Sequence, residues 1–140
     1  MAEGVFRHLI ADAGLAVQIA ADSAGTGAWH VGQPPDERAQ ATTARRGIDI
    51  AMQRARQVAP MDFSTFDYVL AMDGDNLRTL MGAAPAAART RIRLFLDYGD
   101  TNATDVPDPY HGGPAGFDQV FDLVHDAAAG LLRHIQENDL

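Results

Sequence analysis

Neither cysteine nor lysine occurs among the 140 residues of the sequence. The absence of cysteine excludes a disulfide, a thiolate metal site and a thiol nucleophile built from these residues. The absence of lysine excludes a Walker-type phosphate loop and Schiff-base chemistry. Several classes of enzyme chemistry are therefore excluded for the residues present, and all eleven basic residues are arginines.

Long apolar runs and an excess of positive charge are also missing. No apolar stretch is long enough to cross a membrane, and the N-terminal residues do not follow the pattern of a secretion signal. The formal net charge of −8 repels a nucleic-acid backbone on average. We therefore expect a cytoplasmic protein that binds neither membranes nor nucleic acid.

The residues that are present suit one α/β domain spanning residues 1–140. Hydrophobic residues make up 46% of the sequence, which is enough for a core in a chain of this length. Short apolar stretches predict strands at 16–21, 66–72 and 92–96. Helical spacing predicts helices that begin near residue 1, at Pro34–Pro35, at Asp73 and at Phe117. This alternation favours a three-layer α/β/α arrangement around a parallel sheet.

The last of these helices has the clearest pattern. Its apolar face over five turns consists of Phe117, Val120, Phe121, Val124, Ala128, Leu131, Leu132 and Ile135. The first helix has a similar face and a natural stop at Gly14. However, it has no Ser, Thr, Asp or Asn before it to cap its first turn. A sheet of this class usually starts with a strand, so a chain that starts with a helix is unusual.

Three polar loops follow the predicted strands. We expect them to meet, because ligands bind beyond the carboxyl ends of the strands in such sheets. The first loop contains Ser23, Trp29, His30 and Asp36, the second is Asp73–Asn76, and the third runs from Val106 to Gly113.

Asp108 in the third loop is the strongest candidate for a catalytic carboxylate. Pro107 and Pro109 restrict the backbone on both sides of it, and Tyr110 and His111 follow directly. A carboxylate that an aromatic ring partly removes from water suits a general acid for a flat substrate. The alternative is an ordinary turn in which the carboxylate caps its own backbone.

The other candidates also have structural interpretations. Trp29 either walls a pocket for an aromatic ring or fills the edge of the core, and Asp73 is more typical of a helix cap than of a catalyst. The five histidines show no spacing typical of metal ligands, so we expect no metal site and no cofactor. A solvated face or salt bridges are expected for Arg45, Arg46, Arg54 and Arg56.

Four motifs, in order and spread over the whole chain, resemble those of the low-molecular-weight protein tyrosine phosphatases. They are DSAGT with the following Trp29, GIDI with RARQV at 47–58, DFSTFDYVLAMDGDNL at 62–77 and DVPDPYHGG at 105–113. The resemblance implies the three-layer fold of that family. It also implies hydrolysis of phosphotyrosine proteins or aryl phosphate monoesters through a phosphocysteine intermediate.

The resemblance assigns roles residue by residue. Asp108 corresponds to the general acid, which protonates the leaving phenolate and then activates water. Trp29, Tyr110 and His111 correspond to aromatic groups around the substrate ring. Ser23 corresponds to a hydroxyl that hydrogen-bonds behind the phosphate loop.

The sequence departs from the family pattern in two places. In the network that supports the acid loop, Asp73 matches a carboxylate, but Gln53 stands where some relatives have a histidine. At the N-terminus, family members begin with a central strand and a Cys-x5-Arg phosphate loop, and this sequence begins after both. We therefore expect a sheet without its first, central strand and a chain that is inactive as written. The missing loop would also explain the uncapped first helix.

Three interpretations remain open. In the first, the chain belongs to an active phosphatase whose first strand and loop are missing here. In the second, it is a catalytically dead relative that binds phosphoproteins or another partner. In the third, it is an enzyme of other chemistry that uses Asp108 with a histidine. Open apolar edges beside the missing strand favour a rearranged sheet, strand exchange or association into a homo-oligomer.

Overall fold

Two short parallel strands and the helices around them make up the described part of the chain. The computed structural model describes residues 1–107 and 113–140, with the backbone alone for 113–115. The α-helices are α1 (Ala2–Asp12), α2 (Glu37–Ala44), α3 (Asp62–Thr65), α4 (Gly74–Ala83) and α5 (Gly113–Asn138), and the strands are β1 (Val69–Ala71) and β2 (Ile92–Leu94). Two 3₁₀ helices, Ala86–Arg91 and Phe95–Tyr98, flank β2.

The strand β1 is covered on both faces. It pairs in parallel with β2, with Val69 opposite Ile92. Leu70 packs against a large hydrophobic cluster on one face of the sheet, whereas Val69 and Ala71 belong to a smaller cluster on the other face. This is the arrangement that a nearly continuous apolar run predicts.

The two clusters place helices on both sides of the sheet. The larger one unites α1, α5, the 3₁₀ helix at 95–98 and the segment 48–50. The smaller one consists of Phe63, Ala71, Leu80, Ala84, Ala88 and Ile92, from α3, α4 and the sheet. The described residues therefore form an α/β fold with a parallel sheet, as predicted. The absence of a first, central strand stays a prediction.

Helix α5 is the main support of the larger cluster, and its predicted apolar face is confirmed. All eight residues of that face are buried. The helix also approaches the 3₁₀ helix at 95–98 closely, since a Cβ atom at Gly130 would lie 1.7 Å from the Tyr98 carbonyl oxygen. Only glycine fits at this position without a shift of the backbone.

The predicted starts and stops of the other helices are largely confirmed. Met1 precedes α1 without a side-chain cap, and Gly14 beyond its end has a φ of 72°. Helix α2 begins at Glu37 instead of at Pro34–Pro35, because the Asp36 carboxylate accepts a hydrogen bond from the Arg38 N–H at 2.8 Å and caps the helix there.

The predicted strand at 16–21 is wrong. The backbone N–H groups of Gln18 and Ile19 both donate to the Leu15 carbonyl at 3.0 Å, which folds the segment into a turn and leaves Val17 fully exposed. A strand is stable only when a neighbour completes its hydrogen-bond ladder. Among the described residues, no strand pairs with this segment, so local hydrogen bonds determine its conformation.

The other two strands form, but they are shorter than predicted. The strand predicted at 66–72 is confined to Val69–Ala71, and the one predicted at 92–96 ends at Leu94. Beyond Leu94 the backbone coils into the 3₁₀ helix, which buries Phe95 and Leu96 in the larger cluster. Throughout the described ranges, we find no helix with the length and apolar character needed to traverse a bilayer.

Candidate functional site

The second and third loops meet at the carboxyl end of β1. The Val106 N–H donates to the Met72 carbonyl at 2.8 Å, and the Asp105 carboxylate accepts a hydrogen bond from the Gly74 N–H at 2.9 Å. Gly74 is the first residue of α4, and the first N–H groups of a helix have no partner within it. Asp105 therefore uses a free helix donor to hold its own loop in place.

This anchoring lies directly before the predicted catalytic segment. Asp108, Tyr110 and His111 themselves fall outside the described residues, so their roles stay predictions. Asp105, by contrast, was not recognised as a site residue from the sequence. The available signal was its position in the sequence. It is a carboxylate three residues before Asp108, in a loop that we expected to lie near the start of α4.

Asp73 caps α4. Its carboxylate accepts a hydrogen bond from the Asn76 N–H at 2.7 Å, which is the contact that a helix N-cap makes. Its two neighbours, Met72 and Gly74, make hydrogen bonds with the third loop. The predicted support of the acid loop by the Asp73 side chain stays a prediction.

Ser23 is tied to the first turn of α1. Its hydroxyl donates to Glu3 Oε1 at 2.6 Å. Arg7 contacts Glu3 Oε2 through Nε at 3.2 Å and donates through Nη2 to the Ala21 carbonyl at 2.6 Å. The Glu3 side chain is only 9% exposed, so these charge-assisted bonds are partly shielded from water.

This link was not predicted from the sequence. Glu3 and Arg7 have the i, i+4 spacing of a helical ion pair, which was the only local signal. Their further contacts to residues 21 and 23 depend on the tertiary fold. As a result, the hydroxyl of Ser23, expected to face a phosphate loop, has a carboxylate partner here.

Trp29 projects from the first loop into solvent. Its side chain is 80% exposed, so the interpretation that it fills the edge of the core is wrong. The ring lies over Gly27, where a Cβ atom would come within 2.0 Å of it. Residues 25–33 are held by backbone hydrogen bonds of 2.8–2.9 Å to residues 55–58. A role of Trp29 as a pocket wall stays a prediction.

Arg56 joins the first loop to α3. Its Nη1 and Nη2 groups donate to both oxygens of Asp62, at 2.9 and 3.1 Å, and its Nε donates to Asp22 at 3.1 Å. The hydrogen bond from Arg56 lowers the pKa of Asp62, and the bond to Asp62 in turn raises the pKa of Arg56. For Arg56 the sequence left two interpretations, a solvated face or a salt bridge, and the structure contains the salt bridge.

A second group of arginines fixes the start of α5. Arg46 and Arg45 both donate to the Asp118 carboxylate, at 3.0 and 3.1 Å, and the Arg46 guanidinium stacks 4.3 Å from the centre of the Phe121 ring. The hydrogen bond from Arg46 lowers the pKa of Asp118 most, and the hydrogen bond from Arg45 lowers it further. These contacts connect the segment after α2 to the first turns of α5, which follow the third loop.

All three loops contribute to one open groove. Its volume is about 1780 Å³, and its lining includes Ser23 and Trp29 from the first loop, Asn76 from the start of α4 and Val106 from the third loop. In the described residues the second and third loops are in direct contact, and the first loop lines the same groove. The fold is an α/β domain in which the second and third loops follow the parallel strands β1 and β2, and ligands bind beyond the carboxyl ends of the strands in sheets of this kind.

Comparison with known proteins gives the family. The family model described as "Low molecular weight phosphotyrosine protein phosphatase" matches residues 1–140. The low molecular weight protein-tyrosine-phosphatase YfkJ of Bacillus subtilis is 43% identical, over 98% of this chain and 87% of that protein. The corresponding protein of Streptomyces coelicolor is 42% identical, over 98% of this chain and 85% of its own length.

Solved structures agree with this assignment. The crystal structure of a protein tyrosine phosphatase from Entamoeba histolytica with Hepes in the active site matches with a TM-score of 0.94 at 36% identity. The match covers 99% of this chain and 89% of that one. The chain belongs to the low molecular weight phosphotyrosine protein phosphatase family.

Proposed function

We propose that the chain carries the general-acid part of a phosphatase for phosphotyrosine proteins or aryl phosphates, and that these 140 residues alone do not hydrolyse such esters. In this proposal Asp108 protonates the leaving phenolate, and Trp29, Tyr110 and His111 surround the substrate ring. Ser23 and Asp73 support the surrounding loops. Family membership over residues 1–140 is the observation that carries the proposal.

The anchoring of the third loop supports the role of Asp108. The bonds from Val106 to Met72 and from Gly74 to Asp105 hold Asp105 and Val106 in place, two and three residues before Asp108 in the sequence. Positioning of this kind is what a general acid needs, because proton transfer requires hydrogen-bond distance to the leaving group.

The expected lack of turnover follows from composition. Attack on phosphorus by the phosphocysteine route needs a thiolate and a set of N–H and guanidinium donors around the phosphoryl oxygens. The 140 residues contain no cysteine. A general acid contributes about 10²–10⁴-fold to a reaction that another group drives, so Asp108 by itself has no phosphoryl transfer to assist.

The test is hydrolysis of p-nitrophenyl phosphate at mildly acidic pH by the 140-residue chain and by Asp108→Asn, with circular dichroism to show that both are folded. We expect both to remain at the background rate. Activity that disappears in Asp108→Asn would contradict the predicted inactivity and reveal an unrecognised nucleophile. Activity that is equal in both would contradict the role of Asp108 as well.

Self-association is a further part of the proposal. In the described residues β1 pairs with β2 alone, and an unpaired strand edge is a template for another chain. We expect association of two or more copies that weakens on dilution, measured by light scattering after gel filtration. A compact monomer at all concentrations would contradict it.

The cytoplasmic location also stays a prediction, which fractionation of cells that express the gene would check.

A further inference from the structure

Residues 76–96 contain positive charges and no negative ones, in a chain whose net charge is −8. All nineteen acidic residues of the sequence lie outside this stretch, which contains Arg78, Arg89, Arg91 and Arg93. In the structure it forms most of α4, the 3₁₀ helix Ala86–Arg91 and the strand β2. One unit of the fold is therefore basic, although the chain as a whole is acidic.

The arginines at positions 89, 91 and 93 differ from most of the others, because they have no acidic partner. Six arginines form ion pairs in the described residues, namely Arg7, Arg38, Arg45, Arg46, Arg56 and Arg78. In the same part of the chain no carboxylate forms an ion pair with Arg89, Arg91 or Arg93, and all three residues are exposed. The Nη1 group of Arg91 donates to the Phe63 carbonyl at 3.3 Å, which leaves its charge uncompensated.

The three arginines lie on and directly before an edge strand. Arg93 is the central residue of β2, and Arg91 is the last residue of the 3₁₀ helix that precedes this strand. Within residues 1–107 and 113–140, β2 pairs with β1 alone. An edge strand is accessible to another chain from its unpaired side, so the uncompensated charge lies where a partner can approach.

The acidic residues around this segment limit the size of a negatively charged partner. Asp97 follows the segment in the sequence, and Asp67 and Asp97 line the same groove as Arg91 and Arg93. A long nucleic acid or the flat surface of an anionic membrane would also approach these carboxylates and the rest of an acidic chain, which repel it. A short negatively charged segment avoids most of this repulsion.

We propose that residues 89–93 form a docking site for a short acidic segment of a partner protein. Carboxylates of the partner accept hydrogen bonds from the guanidinium groups of Arg89, Arg91 and Arg93, in charge-assisted pairs. Acidic residues at every second position suit the site, because an extended chain directs alternate side chains to one side. The docking site is a property of this surface and does not depend on the proposed activity.

The probe is a capped synthetic peptide of about seven residues that alternates Glu and Ser, a common length for an extended segment. The control peptide has Gln in place of each Glu, which keeps the shape and removes the charge. Titration of the ¹⁵N-labelled 140-residue chain, followed by NMR, gives both the affinity and the location. We expect saturable shifts of the amides of residues 88–94. The Gln peptide is expected to bind roughly tenfold more weakly, because exposed ion pairs are lost.

Two double variants with the same net charge test the location. The first combines Arg89→Gln with Arg93→Gln and keeps Arg91, which contacts the Phe63 carbonyl. The second combines Arg54→Gln with Arg133→Gln, two other exposed arginines without an ion pair in the described residues. Circular dichroism shows that both are folded. The first is expected to bind the Glu peptide about fivefold to tenfold more weakly than wild type, and the second within about twofold.

Several outcomes would overturn the proposal. Equal binding of the Glu and Gln peptides would show that charge is not recognised, and an equal loss in both double variants would show an effect of net charge alone. Tighter binding of an oligothymidylate or of phosphatidylserine vesicles would replace the acidic protein by a nucleic acid or a membrane. Displacement of the peptide by an equal concentration of inorganic phosphate would show a site for a single anion. An absence of shifts at millimolar peptide would show that the arginines only protect the edge of the sheet.

Discussion

The region around α5 and the loop region of residues 19–33 are held together by different interactions. Around α5, stability comes from buried apolar side chains such as Val124 and Leu96. In the loop region, position comes from polar contacts that reach across the sequence, such as Ser23 with Glu3 and Arg56 with Asp22. The comparison indicates that the first region supplies most of the folding free energy and that the second determines where the site residues lie.

The largest expected effect tests the apolar region. Leu96 is 1% exposed, so Leu96→Ala is expected to lower the free energy of unfolding by about 2–5 kcal/mol, through lost burial and the cavity that remains. Urea denaturation measures the change. Val17→Ala, at a fully exposed position, is the control and is expected to change it by less than about 0.5 kcal/mol. Similar small losses in both variants would show that the cluster is not a cooperative core.

The next effect tests how closely α5 packs. Gly130→Ala would place a Cβ atom against the Tyr98 carbonyl oxygen, and we expect a loss of about 1–3 kcal/mol. Gly82→Ala in α4 is the matched control, because a Cβ atom there meets open space. It is expected to stabilise the protein by about 0.5–1 kcal/mol. Thermal or urea unfolding of the pair checks this, and stabilisation by both substitutions would contradict the close contact.

A smaller effect is expected in the loop region. Arg56→Ala removes the ion pairs with Asp62 and Asp22 and is expected to cost about 1–2 kcal/mol, with faster amide hydrogen exchange in residues 25–33. Arg54 donates to the nearby backbone carbonyls of Ala51 and Gln53, so Arg54→Ala serves as the control, and we expect it to change the stability and the exchange little. If both variants leave exchange in the loop unaltered, Arg56 does not position it.

The smallest effect is a pH dependence. The Arg56 guanidinium lowers the pKa of Asp62 below its ordinary value of 3.8, so the folded state favours the ionised carboxylate. This contribution is complete above the unfolded pKa and is lost as pH falls through the lower folded pKa. Below about pH 4, the wild-type protein should therefore lose stability more steeply than Asp62→Asn. Parallel acid curves in urea denaturation would show that the pair does not couple to folding.

The sequence predicted best those elements whose determinants are local. The apolar face of α5 repeats at helical spacing over five turns, and Asp73 stands where a helix cap is expected, so both follow from neighbouring residues. The family was also predictable, because its motifs occur in order along the whole chain. The contact between the second and third loops was predictable because the loops that follow parallel strands meet at one edge of the sheet.

The incorrect and missing predictions concern contacts between distant residues. The segment 16–21 has the composition of a strand, but a strand requires a partner, which composition does not reveal. The glycine at 130 is explained only by the Tyr98 carbonyl on another element, and the partner of Ser23 is a carboxylate 20 positions away. Tertiary context of this kind is not encoded in local periodicity.

The exposed position of Trp29 has a practical consequence. It is the only tryptophan in the sequence, and its indole ring lies in solvent on the first loop, outside the apolar core. The fluorescence excited selectively in tryptophan therefore arises from the candidate site alone, without a background from the core. Changes in its emission or in its quenching by acrylamide would report ligand binding or loop movement at that site in the unlabelled, wild-type chain.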